Sequence, residues 1–239
     1  MSLETKLDKY AELIVKRGVN VQPGQTIILY AEVNEAYFAR KIVHAAYQAG
    51  AREVVLEWSD QQVSHDFLTY TAADRLENIP NYEVTRANEL MDIYASRISL
   101  LSQDPDGLAN VDSERLSNFT KAKQKALGRV REATMKDDIS WLVAAAAGQS
   151  WAEKVFPSLK GQAAVERLWE EILKDVRIDD TSDAIENWHT HVETLKEKAD
   201  WLNKQNFKEL RYQNTKSNFT IGLATGHIWE AANSYDKAG

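Results

Sequence analysis

The sequence predicts an α/β protein: an open, mainly parallel sheet flanked by helices, with the start of a second, β-rich domain at the carboxyl end. Three observations carry this. Thr26-Ile27-Ile28-Leu29-Tyr30-Ala31 is apolar without alternation, the pattern of a strand covered on both faces. A helix of about four turns separates it from the next apolar run, Glu53 to Trp58, and strand–helix–strand at this spacing is almost always parallel and right-handed. After about residue 205 the long helical periodicities give way to short strand-like runs separated by turns.

The elements follow in order. Leu3, Leu7, Tyr10 or Ala11, and Ile14 recur at helical spacing, and Gly18 supplies a residue that readily takes the left-handed conformation past a helix end. Gln22-Pro23-Gly24 turns the chain into the first strand. Glu35 to Ala49 reads as a helix with Phe38, Ile42, Ala45 or Ala46, and Ala49 inward, closed by Gly50. Helices are predicted over Asp66 to Asn78 and Tyr82 to about Ile93, a strand over Ser96 to Ser102, and one long basic helix over Ser113 to Thr134 with Ser113 as its cap. Ile139 to Ala147 is ambiguous because of its four alanines. It is read as a strand, since Ile139, Trp141 and Val143 are β-formers and Gly148 stops it early. Ala163 to Val176 and Ala184 to Lys204 are helical. The second carries Ile185, Trp188, Val192, Leu195, Ala199 and Leu202 as a narrow heptad-like seam. Phe207 to Tyr212, Phe219 to Leu223 and His227 to Ala231 read as strands of an antiparallel meander. The expected organisation is an α/β domain over 1–205, and over 206–239 the first strands of a truncated second domain.

Composition narrows the function. The 239 residues hold 29 Lys+Arg against 36 Asp+Glu, a formal charge of −7, which argues against binding a nucleic-acid backbone. With no Cys, disulfides, thiolate metal sites and a cysteine nucleophile are excluded. The amino-terminal residues have no signal-peptide core, and no apolar run approaches the roughly 20 residues of a membrane span. A cytoplasmic protein without a membrane or nucleic-acid partner is the expectation.

A search for chemistry finds little. His189 and His191 are two apart on a helix and point in roughly opposite directions, so they cannot chelate one ion. Glu186, His189 and Glu193 do share a face and could ligate zinc weakly, although such residues opposite an apolar seam ordinarily form a solvated face. His44, mid-helix beside Val43, reads as a helix-surface or core-edge histidine. The turn after the first strand, Glu32-Val33-Asn34-Glu35, has no glycine to admit a pyrophosphate, and its two carboxylates would repel one. Glu32 and Glu35 nevertheless sit where open α/β sheets bind ligands, and capping of the following helix is the preferred account of them. No G-x-S-x-G nucleophile elbow occurs. The seven Trp are spread evenly, which favours packing in the core and between domains over a base-stacking platform. No catalytic, cofactor-binding or metal residue is therefore assigned within this sequence.

Several segments, in order, resemble one family. They are Tyr10 to Gln25 (YAELIVKRGVNVQPGQ), Ala46 to Val54 (AYQAGAREV), Ala95 to Ile98, Ser102 to Pro105, Ser140-Trp141 running into Ala144 to Gly148, and Trp151 to Pro157 (WAEKVFP). Lys198 to Asn203 and His227 to Glu230 complete the set. The stretch is similar to the amino-terminal part of the aminopeptidase T/AmpS/PepS family of dinuclear metallo-aminopeptidases, nearest in flavour to the PepS type. One departure is Thr215-Lys216-Ser217-Asn218-Phe219, where relatives usually carry Gly-Thr-Asp-Leu.

The resemblance implies an exopeptidase that releases amino-terminal residues from peptides. Two divalent ions (zinc, cobalt or manganese) would polarise the scissile carbonyl and acidify a bridging water. It implies metal ligands of Glu, His and Asp in the carboxy-terminal domain, the first in a Pro-Thr-Glu-Glu-like segment that has no counterpart here. The expectation is an amino-terminal domain, inactive alone, that walls a peptide cleft and supports a homodimer. Two other readings are an autonomous non-catalytic binding or dimerisation module, and a small-molecule enzyme using Glu32 and Glu35.

Overall fold

The structure is a computed structural model describing residues 1–181 and 183–237. Helix α1 (Leu3–Leu13) begins where Ser2 Oγ accepts a hydrogen bond from the Thr5 N–H, and it buries Leu7, Tyr10, Ala11 and Leu13. One π turn, Ile14–Gly18, carries it towards strand β1 (Thr26–Glu32). Gly18 is not left-handed; that conformation falls to Asn20. A Cβ at Gly18 would collide with the Leu142 side chain, so the glycine serves a close approach rather than a helix stop.

After β1 come α2 (Ala36–Gln48), β2 (Glu53–Ser59), α3 (Gln61–Tyr70), α4 (Ala73–Glu77), α5 (Asn81–Asp92) and β3 (Ser96–Leu101). Gly50 closes α2 with the positive φ of 94° that its position after the helix requires. The helix predicted over Asp66 to Asn78 is two helices. Asp60 caps α3 five residues earlier than expected, through the N–H groups of Gln62 and Val63. Thr71 and Ala72 then adopt extended backbone and break the run. The long basic helix also divides, into α6 (Ser113–Ala126) and α7 (Gly128–Met135), at Leu127-Gly128. Its cap is Asp112, whose carboxylate accepts from Glu114 and Arg115 N–H, not Ser113. The ambiguous alanine-rich run is a strand, β4 (Trp141–Ala145), followed by α8 (Gln149–Val155), α9 (Gly161–Asp175) and α10 (Ala184–Gln205).

The four strands are parallel in the order β2-β1-β3-β4. On one face, Ile27, Leu29, Ala31, Ile98, Leu100 and Ala144 pack against α1, α2 and α9 in the main core. At its centre the Tyr10 and Phe38 rings stack at 5.2 Å, and Trp169 meets Phe38 edge-on at 5.1 Å. Burial pushes the Tyr10 phenol up to about 12, and its hydroxyl donates a hydrogen bond to the Ala145 carbonyl at 3.3 Å. The other face is covered in part by α5 and α7, through an Arg86–Glu57 ion pair and the Arg97–Thr134 hydrogen bond. Of the seven Trp, Trp169 is buried in the core, whereas Trp58, Trp141 and Trp201 are exposed.

Ile185 and Trp188 of the seam predicted on α10 pack against this core; farther along, Val192, Leu195 and Leu202 are half-buried and Ala199 is buried. Glu153 joins α8 to α9. Its carboxylate accepts from the Gly161 N–H, the Lys160 ammonium and the Gln149 amide, which draw it down to about 2. Beyond α10 the chain forms a hairpin of β5 (Glu209–Gln213) and β6 (Asn218–Gly222). The third strand predicted for the meander, His227 to Ala231, is instead a turn and irregular chain, with His227 N–H donating to the Ala224 carbonyl. Gly226 at φ 77° bends the chain there, and among the described residues no strand lies beside it to extend the ladder.

Candidate functional site

The strand order fixes where a ligand site would lie. The connection from β1 to β2 crosses one face and that from β3 to β4 the other, so the switch point falls between the carboxyl ends of β1 and β3. Glu32 ends β1 and is buried. Its carboxylate accepts from Ser59 Oγ at 2.7 Å and from the Gln61 N–H at 3.1 Å. It therefore caps the first turn of α3, across the sheet, rather than the helix that follows it in sequence.

Gln61 reaches onward. Its Nε2 donates to the Asp104 carbonyl and its Oε1 accepts from the Asp104 N–H, both at 2.8 Å. The loop after β2 is thereby bonded to the loop after β3, on either side of the end of β1. Two glycines permit this closeness. A Cβ at Gly107 would meet the Gln61 amide, and one at Gly148 would strike the Ser102 carbonyl oxygen. Ser102 Oγ is buried with no hydrogen-bond partner, and Asp106 pairs with Lys154 of α8.

Glu35 differs from its neighbour. It is buried and makes no capping bond to α2, contrary to the expected role. Burial, and then the charge of Glu32, push its carboxyl above the ordinary carboxylate range. The two acids thus differ in their surroundings: Glu32 is satisfied by two donors, while Glu35 caps nothing and its carboxyl is held above the ordinary range. Their surroundings tie loops together, and the hydrogen-bond partners of Glu32 are the Ser59 hydroxyl and the Gln61 N–H, not a histidine or lysine. The switch point is closed by its own side chains, and the geometry does not support the small-molecule enzyme reading.

Glu186, His189 and Glu193 lie exposed along α10. Among the described residues, no group of three His, Asp or Glu side chains is arranged to hold a metal ion. The described residues do not fit a dinuclear metal centre. His44 is exposed on α2. An open groove of about 1050 Å³ lies between α1, α9 and α10, lined by Lys6, Glu170, Arg177, Asn187 and His191 among others; it mixes both charge signs and converges on no reacting group. No helix among the described residues is long and apolar enough to cross a membrane.

Sequence reasoning missed the Gln61 clamp, because a glutamine in the first turn of a helix carries no sign of a partner 43 residues away. Gly107 and Gly148, each placed just after a strand, were the available signal of close backbone contact.

Comparison with known proteins supplies what the geometry does not. The chain is 37% identical over 239 residues to aminopeptidase PepS of Streptococcus thermophilus, covering 100% of this chain and 58% of that protein. It is also 37% identical to aminopeptidase AmpS of Bacillus subtilis, again spanning 58% of that protein's length. Among solved structures it superposes on wild-type AmpT from Thermus thermophilus with a TM-score of 0.90 at 28% identity, covering all of this chain and 58% of that one. The chain thus spans little more than half the length of these relatives. The family model described as thermophilic metalloprotease (M29) matches residues 3–239, and the chain belongs to that family.

Proposed function

We propose that this chain is the amino-terminal part of a metal-dependent aminopeptidase that releases amino-terminal residues from peptides. The observation that carries the reading is the family match over residues 3–239, together with relatives named as aminopeptidases. Residues 1–205 form the α/β domain, which walls the peptide cleft and supports a homodimer in the cytoplasm. Residues 206–239 open the second domain, which supplies the Glu, His and Asp ligands for two divalent ions. Support for this division comes from the hairpin, which buries none of its residues: Leu210 is half-buried, and Tyr212, Phe219 and Ile221 are exposed although apolar. A two-stranded hairpin is marginally stable by itself and normally packs on further structure. The chain alone is inactive in this reading, since its described residues gather no metal-holding group.

The test is release of amino-terminal residues from short peptides by the folded 239-residue chain, with and without zinc, cobalt or manganese. Silence under every metal is expected. Metal-dependent turnover would sink the division of labour, and Glu186, His189 and Glu193 would be the first side chains to replace.

A further inference from the structure

Tyr30, Ser99 and Val143 stand side by side across β1, β3 and β4, and Arg97 stands beside Trp141. Because side chains alternate along a strand, Tyr30, Leu101, Trp141 and Val143 share one face of the sheet. They are 37%, 48%, 46% and 48% exposed. Arg97 lies among them with its guanidinium over the Tyr30 ring, and none of the ion pairs among the described residues engages it.

Strand β4 is also an edge of the sheet. Arg97 N–H donates to the Ser140 carbonyl and Ala146 N–H to the Leu101 carbonyl. Even-numbered residues of β4 therefore face β3, and the backbone groups of Trp141 and Val143 point away from the sheet. Trp141-Leu142-Val143-Ala144-Ala145 has none of the charges or prolines that guard free edges.

Two tethers hold the carboxyl-terminal segment, the first to the end of α10 and the second to this corner. The Asn203 side chain both donates to and accepts from the Trp229 backbone at 2.8 Å. Farther on, Ser234 Oγ donates to Asp137, Ser140 Oγ donates to Asp236, and Lys237 N–H donates to the Asp137 carbonyl. The Lys237 ammonium lies 2.5 Å from Asp138. Lys237 thus rests on the turn that leads directly into Trp141.

We infer that the outer edge of β4 and the Tyr30–Leu101–Trp141–Val143 face seat the second domain begun by residues 206–239. This rests on the division of domains proposed above. The occupant is the same polypeptide because the tethers deliver it there, and because the relatives are long enough to supply it. Its contacting surface is apolar, with a strand edge for Trp141 and Val143 and a carboxylate opposite Arg97.

The test compares the 239-residue chain with the whole product of its gene, by intact mass, peptide cleavage and hydrogen exchange read at single amides. A product heavier than 27.1 kDa is expected, in which the Trp141 and Val143 amides exchange at least about 100-fold more slowly than in the chain. Val143→Lys should leave the melting temperature of the 239-residue chain unchanged and remove that protection in the longer product, whereas Val143→Thr should keep it. Equal exchange in a heavier, active product, or protection that survives Val143→Lys, would overturn the docking surface and leave the proposed function standing. A 27.1 kDa gene product, or a heavier one that cleaves no peptide, would overturn the reading beneath it.

Discussion

Residues 1–205 and 206–237 obey different rules. The first stretch closes around the Tyr10–Phe38–Trp169 cluster and buries one face of its sheet almost completely. In the second, none of the described residues is buried, and the hairpin relies on its ladder and on one stacked pair, Tyr212 and Phe219 at 5.0 Å. The lesson is that regular backbone structure and independent stability are separable. Paired strands satisfy their amides, but without apolar burial they do little to offset the chain entropy of ordering them.

The comparison can be broken most forcefully at Phe38. Phe38→Ala empties the centre of the body and should cost about 3–5 kcal/mol in urea denaturation of the 239-residue chain. A loss below about 1 kcal/mol would mean that the aromatic cluster is not the keystone described here. Gly148→Ala comes next, at about 1–3 kcal/mol, because the new methyl meets the Ser102 carbonyl, which is backbone and cannot step aside. Gly18→Ala, which meets only the end of Leu142, should cost less by the same measurement.

Two carboxylates sharpen the contrast by sign. Glu35 binds its proton more tightly when folded, so the stability it lends is complete at low pH and falls as pH rises above about 4.5. Glu35→Gln should therefore be the more stable protein at pH 7 and lose that advantage below pH 4. Glu153 is shifted the other way, towards about 2, so its contribution is present above about 4.5 and is lost as pH falls towards 2. Glu153→Gln should weaken the chain at pH 7 and converge with the parent in acid. Denaturation at a series of pH values checks both, and parallel curves for either variant would contradict the account. The smallest effect is expected at Tyr212→Ala, within about 0.5 kcal/mol in the 239-residue chain. A larger loss would show that the hairpin contributes to the body after all.

What could be read from the residues divides along the same line. Apolar periodicity made the βαβ opening legible, together with β3, β4 and the seam on α10, because those patterns are set by burial on a few faces. Breaks decided by local competition were not legible: Thr71-Ala72 interrupts a run free of Gly and Pro, and a lone Gly128 costs a helix only about 1 kcal/mol, which does not by itself announce a break. The candidate site was legible only as a location. Glu32 and Glu35 marked the strand end, but their partners Ser59, Gln61 and Asp104 lie in other loops, and nothing in their spacing announces a meeting. His227 to Ala231 has strand composition but forms no strand, since a strand needs a neighbour to pair with.

The clamp at Gln61 has an evolutionary corollary. Its side chain behaves as a peptide group, giving and taking one hydrogen bond with the same residue of a neighbouring loop. A primary amide presents donor and acceptor side by side in one plane, as a peptide group does; a carboxylate offers no donor, a lysine no acceptor, and a hydroxyl must do both from one oxygen. Asparagine has the chemistry but is one methylene too short for the same reach. The corner where relatives of this architecture open pockets for ligands is thus fastened by a residue with almost no acceptable substitute. Any descendant that came to bind a molecule there would first have to find another way to hold those two loops together.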